Sequence, residues 1–330
     1  MDKKQTAHII GLGSYLPSKV LTNQDFERMV ETSDEWIVTR TGIKERRMAA
    51  VGEEVAHMGQ KAALKAIEKA GIALESIDLI LVATSTPDFP VSNTASLIQN
   101  ELGLTDIPAF DISAACTGFI FGLSTAKAFI ESGAYRTILL VAPEKMSSIV
   151  DYTDRNTCIL FGDGAAAAVI SAEERGFSIG STPLGSDGSQ YELVYIPGGG
   201  SRRPLDDTAL DEKLHKIKME GKELFKHAVR RMNSAAKTCL EAEGMSEKDL
   251  TWLVPHQANL RIIDTVAKYC GVPNEKIFNT VHKYGNTSAS SVAIALDELV
   301  DTQPLNAKDT ILLVAFGAGL TWGATLLRKL

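Results

Sequence analysis

Cys116 has the placement of a reactive thiol. It lies in the segment AACTGF, between a strand-like run that ends near Ser113 and a helix-like run that begins at the cysteine. A thiol at a helix N-terminus faces unpaired backbone N–H groups and the positive end of the helix dipole, and a pKa lowered from about 8.5 to about 7 would leave half of it ionised at neutral pH. An unpaired cysteine is also commonly a buried structural residue. The position alone therefore supports both interpretations equally, whereas Cys158, Cys239 and Cys270 lack this placement and are expected to be structural.

Two further polar residues lie where a strand gives way to a helix. His256 follows the strand-like WLVP and precedes a helix that starts near Asn259. Asn286 lies in KYGNTSAS, after a glycine turn and before a helix from about Ser290. Ligands of α/β proteins bind at the carboxyl ends of strands. Taken singly, however, a histidine is more often structural, and Asn286 is explained as an ordinary turn or capping residue.

An internal repeat connects these three residues. The hexapeptide TILLVA occurs at 137–142 and again at 310–315, and strand-like LILVATS (79–85) and WLVPHQA (252–258) precede the two copies. The same order of elements around both copies predicts a duplicated α/β unit, with halves at about 1–175 and 176–330. Folding the repeats against each other would bring the cysteine, the histidine and the asparagine to one site, which favours the functional interpretation of all three.

The elements between the motifs alternate between strands and helices, as in an α/β protein with buried sheets. Apolar runs predict strands at 77–84 and 108–113. Helical spacing predicts a helix over 54–70 that ends at Gly71, and another that begins after a cap at Asn93. Residues 116–131 alternate small and bulky apolar side chains, which indicates a helix buried on nearly all sides.

Composition excludes several classes of function. The chain has 330 residues, 45% of them hydrophobic and 23% charged, as in a globular protein of two domains or two joined halves. Lys and Arg number 34 against 41 Asp and Glu, and the net charge of −7 disfavours general binding to nucleic acid or an anionic membrane. Without a membrane-spanning apolar stretch or a secretory signal pattern, we expect a cytoplasmic protein.

Dinucleotide and metal sites are not supported by the motifs. Gly11 and Gly13 begin a possible GxGxxG, but Leu16 stands where the third glycine is needed. The six histidines form no cluster with metal-ligand spacing. Trp36 and Arg40, four residues apart, would share a helix face that could hold a planar or anionic group, although a Trp at the edge of the core beside a solvated Arg is the simpler interpretation.

Three segments resemble the catalytic signatures of a known family. DISAACTGF around the cysteine, VPHQANLRI around the histidine and YGNTSASS around the asparagine are similar to those of β-ketoacyl-acyl carrier protein synthase III, within the thiolase-like superfamily. TSDEWIVTRTGIKERR (32–47) and DRNTCILFGDG (154–164) match as well. The resemblance implies a duplicated five-layered α-β-α-β-α fold and a homodimer. It also implies condensation of an acyl-CoA primer with malonyl-acyl carrier protein, with no metal or redox cofactor, because the coenzyme A thioester is a substrate.

The resemblance assigns a role to each matching position. It makes Cys116 the acylated nucleophile, while His256 and Asn286 hold the malonyl thioester during decarboxylation. The family's three glycines after the last buried strand are Gly317-Ala318-Gly319 in this chain, and the backbone N–H groups of Cys116 and Ala318 correspond to an oxyanion hole. The remaining positions correspond to contacts with the nucleotide of coenzyme A (Trp36, Arg40, Arg155), with the acyl pocket of the neighbouring subunit (Phe89) and with the carrier protein (Arg261).

A second part of the carrier surface is expected from spacing. Lys222, Lys226 and Arg230 recur every four residues, so they would line one face of a helix and could contact an acidic carrier protein. A solvated helix face is the alternative. We therefore expect Lys226 and Arg261 to be the docking residues.

Three other functions stay open at this level. A papain-like cysteine hydrolase also has the chain order Cys, His, Asn, although no matching sequence context surrounds the cysteine here. A non-enzymatic α/β binding module would need none of the three side chains. A related enzyme that condenses two coenzyme A thioesters would use the same motifs.

Overall fold

The computed structural model describes residues 5–330. The strands are β1 (His8–Tyr15), β2 (Lys19–Thr22), β3 (Glu45–Met48), β4 (Leu79–Ala83), β5 (Ala109–Ile112), β6 (Thr137–Lys145), β7 (Asp163–Ser171), β8 (Phe177–Ile179), β9 (Leu184–Ser186), β10 (Val194–Tyr195), β11 (Lys218–Met219), β12 (Trp252–Pro255), β13 (Thr310–Gly317) and β14 (Thr321–Lys329). The helices are α1 (Asn23–Glu27), α2 (Asp34–Thr41), α3 (Val55–Ala70), α4 (Thr94–Glu101), α5 (Gly118–Glu131), α6 (Arg155–Cys158), α7 (Asp207–Asp211), α8 (Gly221–Ala242), α9 (Leu260–Tyr269), α10 (Val281–Tyr284) and α11 (Ser290–Thr302).

The predicted duplication is confirmed by the strand pairing. The two copies of TILLVA form β6 and β13, which pair in parallel with β4 and β12, respectively. Each copy then pairs antiparallel with the strand that follows it, β7 or β14. The register is also equivalent, since Ile138 faces Leu79 and Ile311 faces Trp252. The predicted boundary at residue 175 lies in the loop between β7 and β8.

The two halves share one large sheet through a central contact. Its order is β12-β13-β14-β8-β1-β7-β6-β4-β5, with β9 paired to β14. The join is the short antiparallel pairing of β1 with β8, in which His8 faces Ser178 and Ile9 faces Phe177. Two smaller hairpins, β2-β3 and β10-β11, lie outside this sheet.

Helices cover both halves of the sheet and fill the space between them. Because successive strand residues point to opposite faces, Leu79 and Leu81 pack inward against α5 and α11, whereas Ile80 and Val82 pack outward against α3 and α4. In the C-terminal half, Leu312 and Val314 pack outward against α8 and α9. The result is the predicted five-layered α-β-α-β-α arrangement, with α5 and α11 in the central layer.

Local capping follows the sequence at the predicted helix ends. Asn93 accepts a hydrogen bond from the backbone N–H of Ser96 and caps α4, and Gly71 ends α3 with a left-handed backbone (φ 61°). The strand predicted over 77–84 forms as β4, and the one over 108–113 forms as β5. No helix within residues 5–330 combines the length and the apolar character needed to cross a membrane.

Candidate active site

The nucleophile lies in a short 3-10 turn before the central helix. Ala115–Thr117 form this turn, and α5 begins at Gly118. The Thr117 hydroxyl contacts the Thr321 hydroxyl at 2.6 Å, and Thr321 Oγ1 donates to the carbonyl of Ala318 at 2.9 Å. These hydroxyls connect the cysteine turn to the loop after β13, so the two sides of the site are held in fixed relation.

The pKa of the Cys116 thiol is raised, the opposite of the effect that a helix N-terminus alone would have. Burial raises the pKa of the thiol to about 12, because an ionised sulfur would lose its contact with water. A hydrogen bond to Ser288 opposes this effect, and the charge of Glu144 adds to it. The thiol is therefore protonated at neutral pH, and it must lose its proton as it attacks.

His256 is a buried, neutral imidazole. It follows β12 directly, and its backbone N–H donates to the carbonyl of Val314 at 2.8 Å, which holds it beside β13. Burial lowers the pKa of the ring to about 4. Nδ1 lies 2.6 Å from Ser291 Oγ, which also accepts the backbone N–H of Gln257 at 3.3 Å. We assign the ring proton to Nε2 from this network, so Nε2 is a hydrogen-bond donor.

Asn286 is fixed through its backbone and through one side of its amide. Its N–H donates to the carbonyl of Leu160 at 2.9 Å, and its own carbonyl accepts from Gly162 at 3.0 Å. Oδ1 accepts the backbone N–H of Ser288 at 2.8 Å. The amide oxygen is therefore occupied, and the Nδ2 group is left as the donor.

The structure brings these residues together as the repeat predicted. Cys116, His256 and Asn286 all line one cavity of about 310 Å³. Most of the remaining wall is apolar and comes from both halves of the chain, including Met146, Ile149, Phe161, Ile217, Met219 and Phe316. Such a cavity can hold an apolar chain with a reacting carbonyl beside the sulfur.

The end of β13 and the loop that follows it line the cavity beside the nucleophile. A Cβ added at Gly317 would lie 2.8 Å from the backbone nitrogen of Cys116, so only glycine allows this close approach. Ala318 lines the same cavity. Among the described residues outside glycine, a positive φ occurs only at Asp106, Ala115, Lys213, Ser288 and Lys308. Ala318, where the resemblance implies a glycine, thus has no positive φ.

A second cluster lies on the surface around Trp36. The guanidinium carbon of Arg40 is 4.2 Å from the centre of the indole ring, and that of Arg155 is 4.9 Å from it. Arg155 also donates to the carbonyl of Glu31 at 2.9 Å. Both arginines are exposed, whereas the tryptophan is half-buried. The three residues predicted to act together therefore form one aromatic and cationic surface.

The remaining predicted residues lie outside the cavity. Phe89 is 56% exposed and does not line the cavity of its own chain. Lys226 is exposed on α8 and pairs with Glu223 at 2.8 Å. Arg261, exposed at the start of α9, lies with its guanidinium carbon 5.9 Å from the ring centre of Phe225.

Sequence reasoning missed three polar residues of this site. Ser288 accepts a hydrogen bond from the Cys116 thiol at an Sγ–Oγ distance of 3.6 Å, and Ser291 contacts His256. Glu144 is fully buried near the cysteine. In the sequence, Glu144 is the charged residue that ends the apolar run TILLVAPE, and the second copy of this run has a glycine at the equivalent position.

Comparison with known proteins gives the family of this chain. A duplicated thiolase-like fold with Cys, His and Asn around one cavity defines the class of condensing acyltransferases. Profiles of "3-Oxoacyl-[acyl-carrier-protein (ACP)] synthase III" and of its C-terminal region match residues 110–188 and 240–329. The chain belongs to this 3-oxoacyl-[acyl-carrier-protein] synthase III family.

Individual relatives cover the chain from end to end. The beta-ketoacyl-[acyl-carrier-protein] synthase III of Chlamydia caviae is 55% identical over 100% of this chain and 98% of its own length. That of Caldanaerobacter subterraneus subsp. tengcongensis is 48% identical over 99% of both. The crystal structure of 3-oxoacyl-[acyl-carrier-protein] synthase III from Aquifex aeolicus VF5 superposes with a TM-score of 0.91 at 45% identity, covering 98% of this chain and 100% of that one.

Proposed function

We propose that this chain catalyses the initiating condensation of type II fatty acid synthesis. It transfers the acyl group of a short acyl-CoA to Cys116 and joins it to malonyl-acyl carrier protein with loss of CO₂, which gives 3-oxoacyl-acyl carrier protein and free coenzyme A. The observation that carries this proposal is the placement of Cys116, His256 and Asn286 around one apolar cavity. The half at 1–175 supplies the nucleophile, and the half at 176–330 supplies the two donors.

The first half-reaction exchanges one thioester for another. The sulfur of Cys116 attacks the carbonyl carbon of the acyl-CoA, and the carbonyl oxygen takes up negative charge. The backbone N–H groups of Cys116 and Ala318 are the donors proposed for this oxyanion, since both residues line the cavity. Because a thiolate is a good leaving group, collapse of the intermediate releases coenzyme A without a strong acid.

The second half-reaction creates a carbon nucleophile. Loss of CO₂ from the malonyl group leaves an enolate, whose oxygen needs preorganised hydrogen-bond donors. His256 Nε2 and Asn286 Nδ2 are the side-chain donors left unoccupied by the networks around them. The enolate carbon then attacks the acyl group on Cys116. We propose that the reaction uses these side-chain and backbone groups without a metal or redox cofactor.

The neutral histidine argues against the papain-like alternative. A cysteine hydrolase of that type uses its histidine as the base that generates the thiolate. Burial holds the pKa of His256 at about 4, which disfavours an imidazolium partner for the sulfur. The site therefore supports His256 as a donor to the enolate.

A homodimer is proposed from the free edge of the sheet. β5 ends the strand order, and its residue Phe110 is 37% exposed. Phe89 and Val91, in the nearby loop, are 56% and 94% exposed. An unprotected apolar edge strand is a typical site of association between chains. Association of two chains at β5 would allow Phe89 to reach the acyl pocket of the neighbouring subunit.

Formation of the product tests the proposed function. The purified chain, incubated with a panel of acyl-CoA primers and malonyl-acyl carrier protein, should yield 3-oxoacyl-carrier and one CO₂ per condensation, detected by mass spectrometry of the carrier. The panel also ranks the primers. Free carboxylic acid as the main product, with no elongated carrier, would contradict the proposal and favour a hydrolase.

The surface cluster of Trp36, Arg40 and Arg155 should recognise the nucleotide of coenzyme A. We expect Trp36→Ala, Arg40→Ala and Arg155→Ala to lower kcat/KM for acyl-CoA about tenfold or more, while use of an acyl-pantetheine changes little. Ring stacking and phosphate pairing belong to the nucleotide, which the pantetheine thioester lacks. Arg28→Ala, a substitution of the exposed arginine that directly follows α1, serves as the control. Equal losses with both substrates would show that the cluster only supports folding.

Lys226 and Arg261 should form part of the docking surface for the acidic carrier protein. Charge reversal of both residues to Glu should raise the KM for malonyl-carrier severalfold and weaken its dependence on salt, because attraction between the two proteins is lost. Lys237→Glu, an exposed lysine farther along α8, is the matched control. Unchanged kinetics with the carrier substrate would refute this surface.

A further inference from the structure

We propose that Ser288 and Glu144 form a proton relay that removes the proton of Cys116 when its sulfur attacks the acyl thioester. This inference deepens the proposed function and rests on acyl transfer to the cysteine. The site holds a buried thiol whose pKa is raised and a histidine whose pKa is lowered, so another group must accept the thiol proton. Ser288 contacts the reacting sulfur and is the catalytic member of the relay. Glu144 acts through the serine.

The first link is the contact between the thiol and the serine. The Cys116 thiol donates to Ser288 Oγ at 3.6 Å, an ordinary length for a hydrogen bond from sulfur. Ser288 has a left-handed backbone (φ 52°), which is uncommon for a residue with a side chain and is typically found at functional sites. Its N–H donates to Asn286 Oδ1 at 2.8 Å, which holds the strained turn in place.

The second link joins the serine to a buried carboxylate. The Ser288 hydroxyl lies close enough to the Glu144 side chain to oppose the rise in the pKa of that carboxyl, and the N–H of the next residue, Ala289, approaches Oε1 of the same carboxylate at 3.5 Å. Glu144 has no exposed surface. Within residues 5–330 it forms no ion pair with a lysine, an arginine or a histidine. A buried carboxylate without a cation is uncommon, because its charge is costly to bury.

The surroundings of Glu144 supply donors to its ionised form. Thr86 Oγ1 and Thr84 Oγ1 lie 2.7 and 3.2 Å from Oε2. Thr86 Oγ1 also accepts the backbone N–H of Lys145 at 2.9 Å, and Thr84 Oγ1 accepts that of Thr86 at 3.1 Å. The proton of each hydroxyl is therefore free to point at the carboxylate. The N–H of Ser85 adds a further donor at 3.1 Å. Glu144 is thus held as an acceptor, and burial raises its pKa above that of a surface glutamate, which makes it the better base.

The proton that leaves Cys116 is passed to coenzyme A within the first half-reaction. As the sulfur–carbon bond forms, the S–H bond of Cys116 breaks, its proton passes to Ser288 Oγ, and the hydroxyl proton of Ser288 passes to Glu144. When the tetrahedral intermediate collapses, the bond to the sulfur of coenzyme A breaks. The proton then returns from Glu144 through Ser288 to that sulfur. The products are the acyl-enzyme and the free thiol of coenzyme A.

A relay and a purely electrostatic role of Glu144 predict opposite effects of one substitution. The negative charge of Glu144 raises the pKa of Cys116. If that were its whole influence, Glu144→Gln would make the thiol more acidic and would speed acylation. If Glu144 is the final proton acceptor, the same variant loses the base and acylation slows.

The test is single-turnover acylation by acyl-CoA, followed by stopped flow and by intact mass. We expect Glu144→Gln and Ser288→Gly each to slow acylation about 100-fold, a usual contribution of general-base catalysis. Glycine readily adopts the left-handed backbone of position 288, so Ser288→Gly removes the hydroxyl with little strain in the backbone. If Glu144→Gln does not fold, the acylation rate of Ser288→Gly tests the relay. Glu53→Gln, a carboxylate outside the cavity, should keep the wild-type rate.

The outcomes separate the relay from the function on which it rests. Acylation of Glu144→Gln at the wild-type rate or faster, or an unchanged rate in Ser288→Gly, would overturn the relay and leave the proposed function intact. A wild-type chain that takes no acyl group at Cys116 from any primer would instead overturn the proposed function and the relay together. Slower acylation in D₂O for the wild type, with a smaller effect in Ser288→Gly, would support transfer through the serine.

Discussion

Cys116→Ala should take up no acyl group from acyl-CoA and should form no 3-oxoacyl-carrier. The covalent intermediate needs a sulfur at this position, and the alanine variant removes the bond-forming atom while leaving the cavity in place. Intact mass spectrometry after incubation with acyl-CoA should show one added acyl group in the wild type and none in the variant. Peptide mapping should assign that group to Cys116.

The other cysteines provide controls for this result. Cys270 is also half-buried, yet it contacts Asn233 and lies away from the active-site cavity. Cys270→Ala should therefore be acylated like the wild type. Acyl label on Cys158, Cys239 or Cys270 would contradict the assignment of the nucleophile, and so would full activity of Cys116→Ala.

His256→Ala and Asn286→Ala should separate the two half-reactions. Each substitution removes one proposed donor to the enolate and should slow decarboxylation about 10²- to 10³-fold, or about 3 to 4 kcal/mol in activation free energy. Acylation of Cys116 should persist in both variants, because neither side chain takes the proton of the thiol. The measurements are stopped-flow acylation by acyl-CoA and release of ¹⁴CO₂ from malonyl-carrier.

Asn286→Asp tests the donor role of the Asn286 amide separately from its role as an acceptor. Aspartate has nearly the same size and keeps an oxygen for the N–H of Ser288, but it replaces the amide donor by an acceptor. Decarboxylation should fall at least as far as in the alanine variant. His57→Ala, a substitution of a half-exposed histidine beside Glu101, is the control and should retain both half-reactions. Loss of acylation in step with CO₂ release in His256→Ala would favour a papain-like role for the histidine.

Local signals in the sequence were sufficient for most of the fold. Asn93 and Gly71 define helix ends through their own side chain or backbone, so their effect is independent of distant residues. The repeat of TILLVA was informative for a similar reason. A buried strand repeated with the same flanking elements predicts the same pairing, and β6 and β13 form equivalent parallel and antiparallel ladders.

The sequence did not predict the contacts between distant segments of the chain. The pKa of Cys116 follows from burial under other parts of the chain, among them the end of β13 at Gly317, and the local helix argument therefore gave the wrong direction. The partnership of Glu144 with Ser288 joins positions 144 residues apart. The junction of β1 with β8 is a short pairing of a few residues, which periodicity does not reveal.

The central claim is that Cys116 holds the acyl group until the malonyl enolate takes it. A pulse and chase on the wild-type chain tests this claim most directly. Labelled acyl-CoA is added first, excess substrate is removed, and malonyl-carrier is then added while the mass of the chain, the CO₂ and the carrier products are followed. We expect the acyl mass on Cys116 to disappear as an equal amount of CO₂ and of labelled 3-oxoacyl-carrier appears. Label that remains on the chain, or that leaves as free acid without elongated carrier, would contradict the claim.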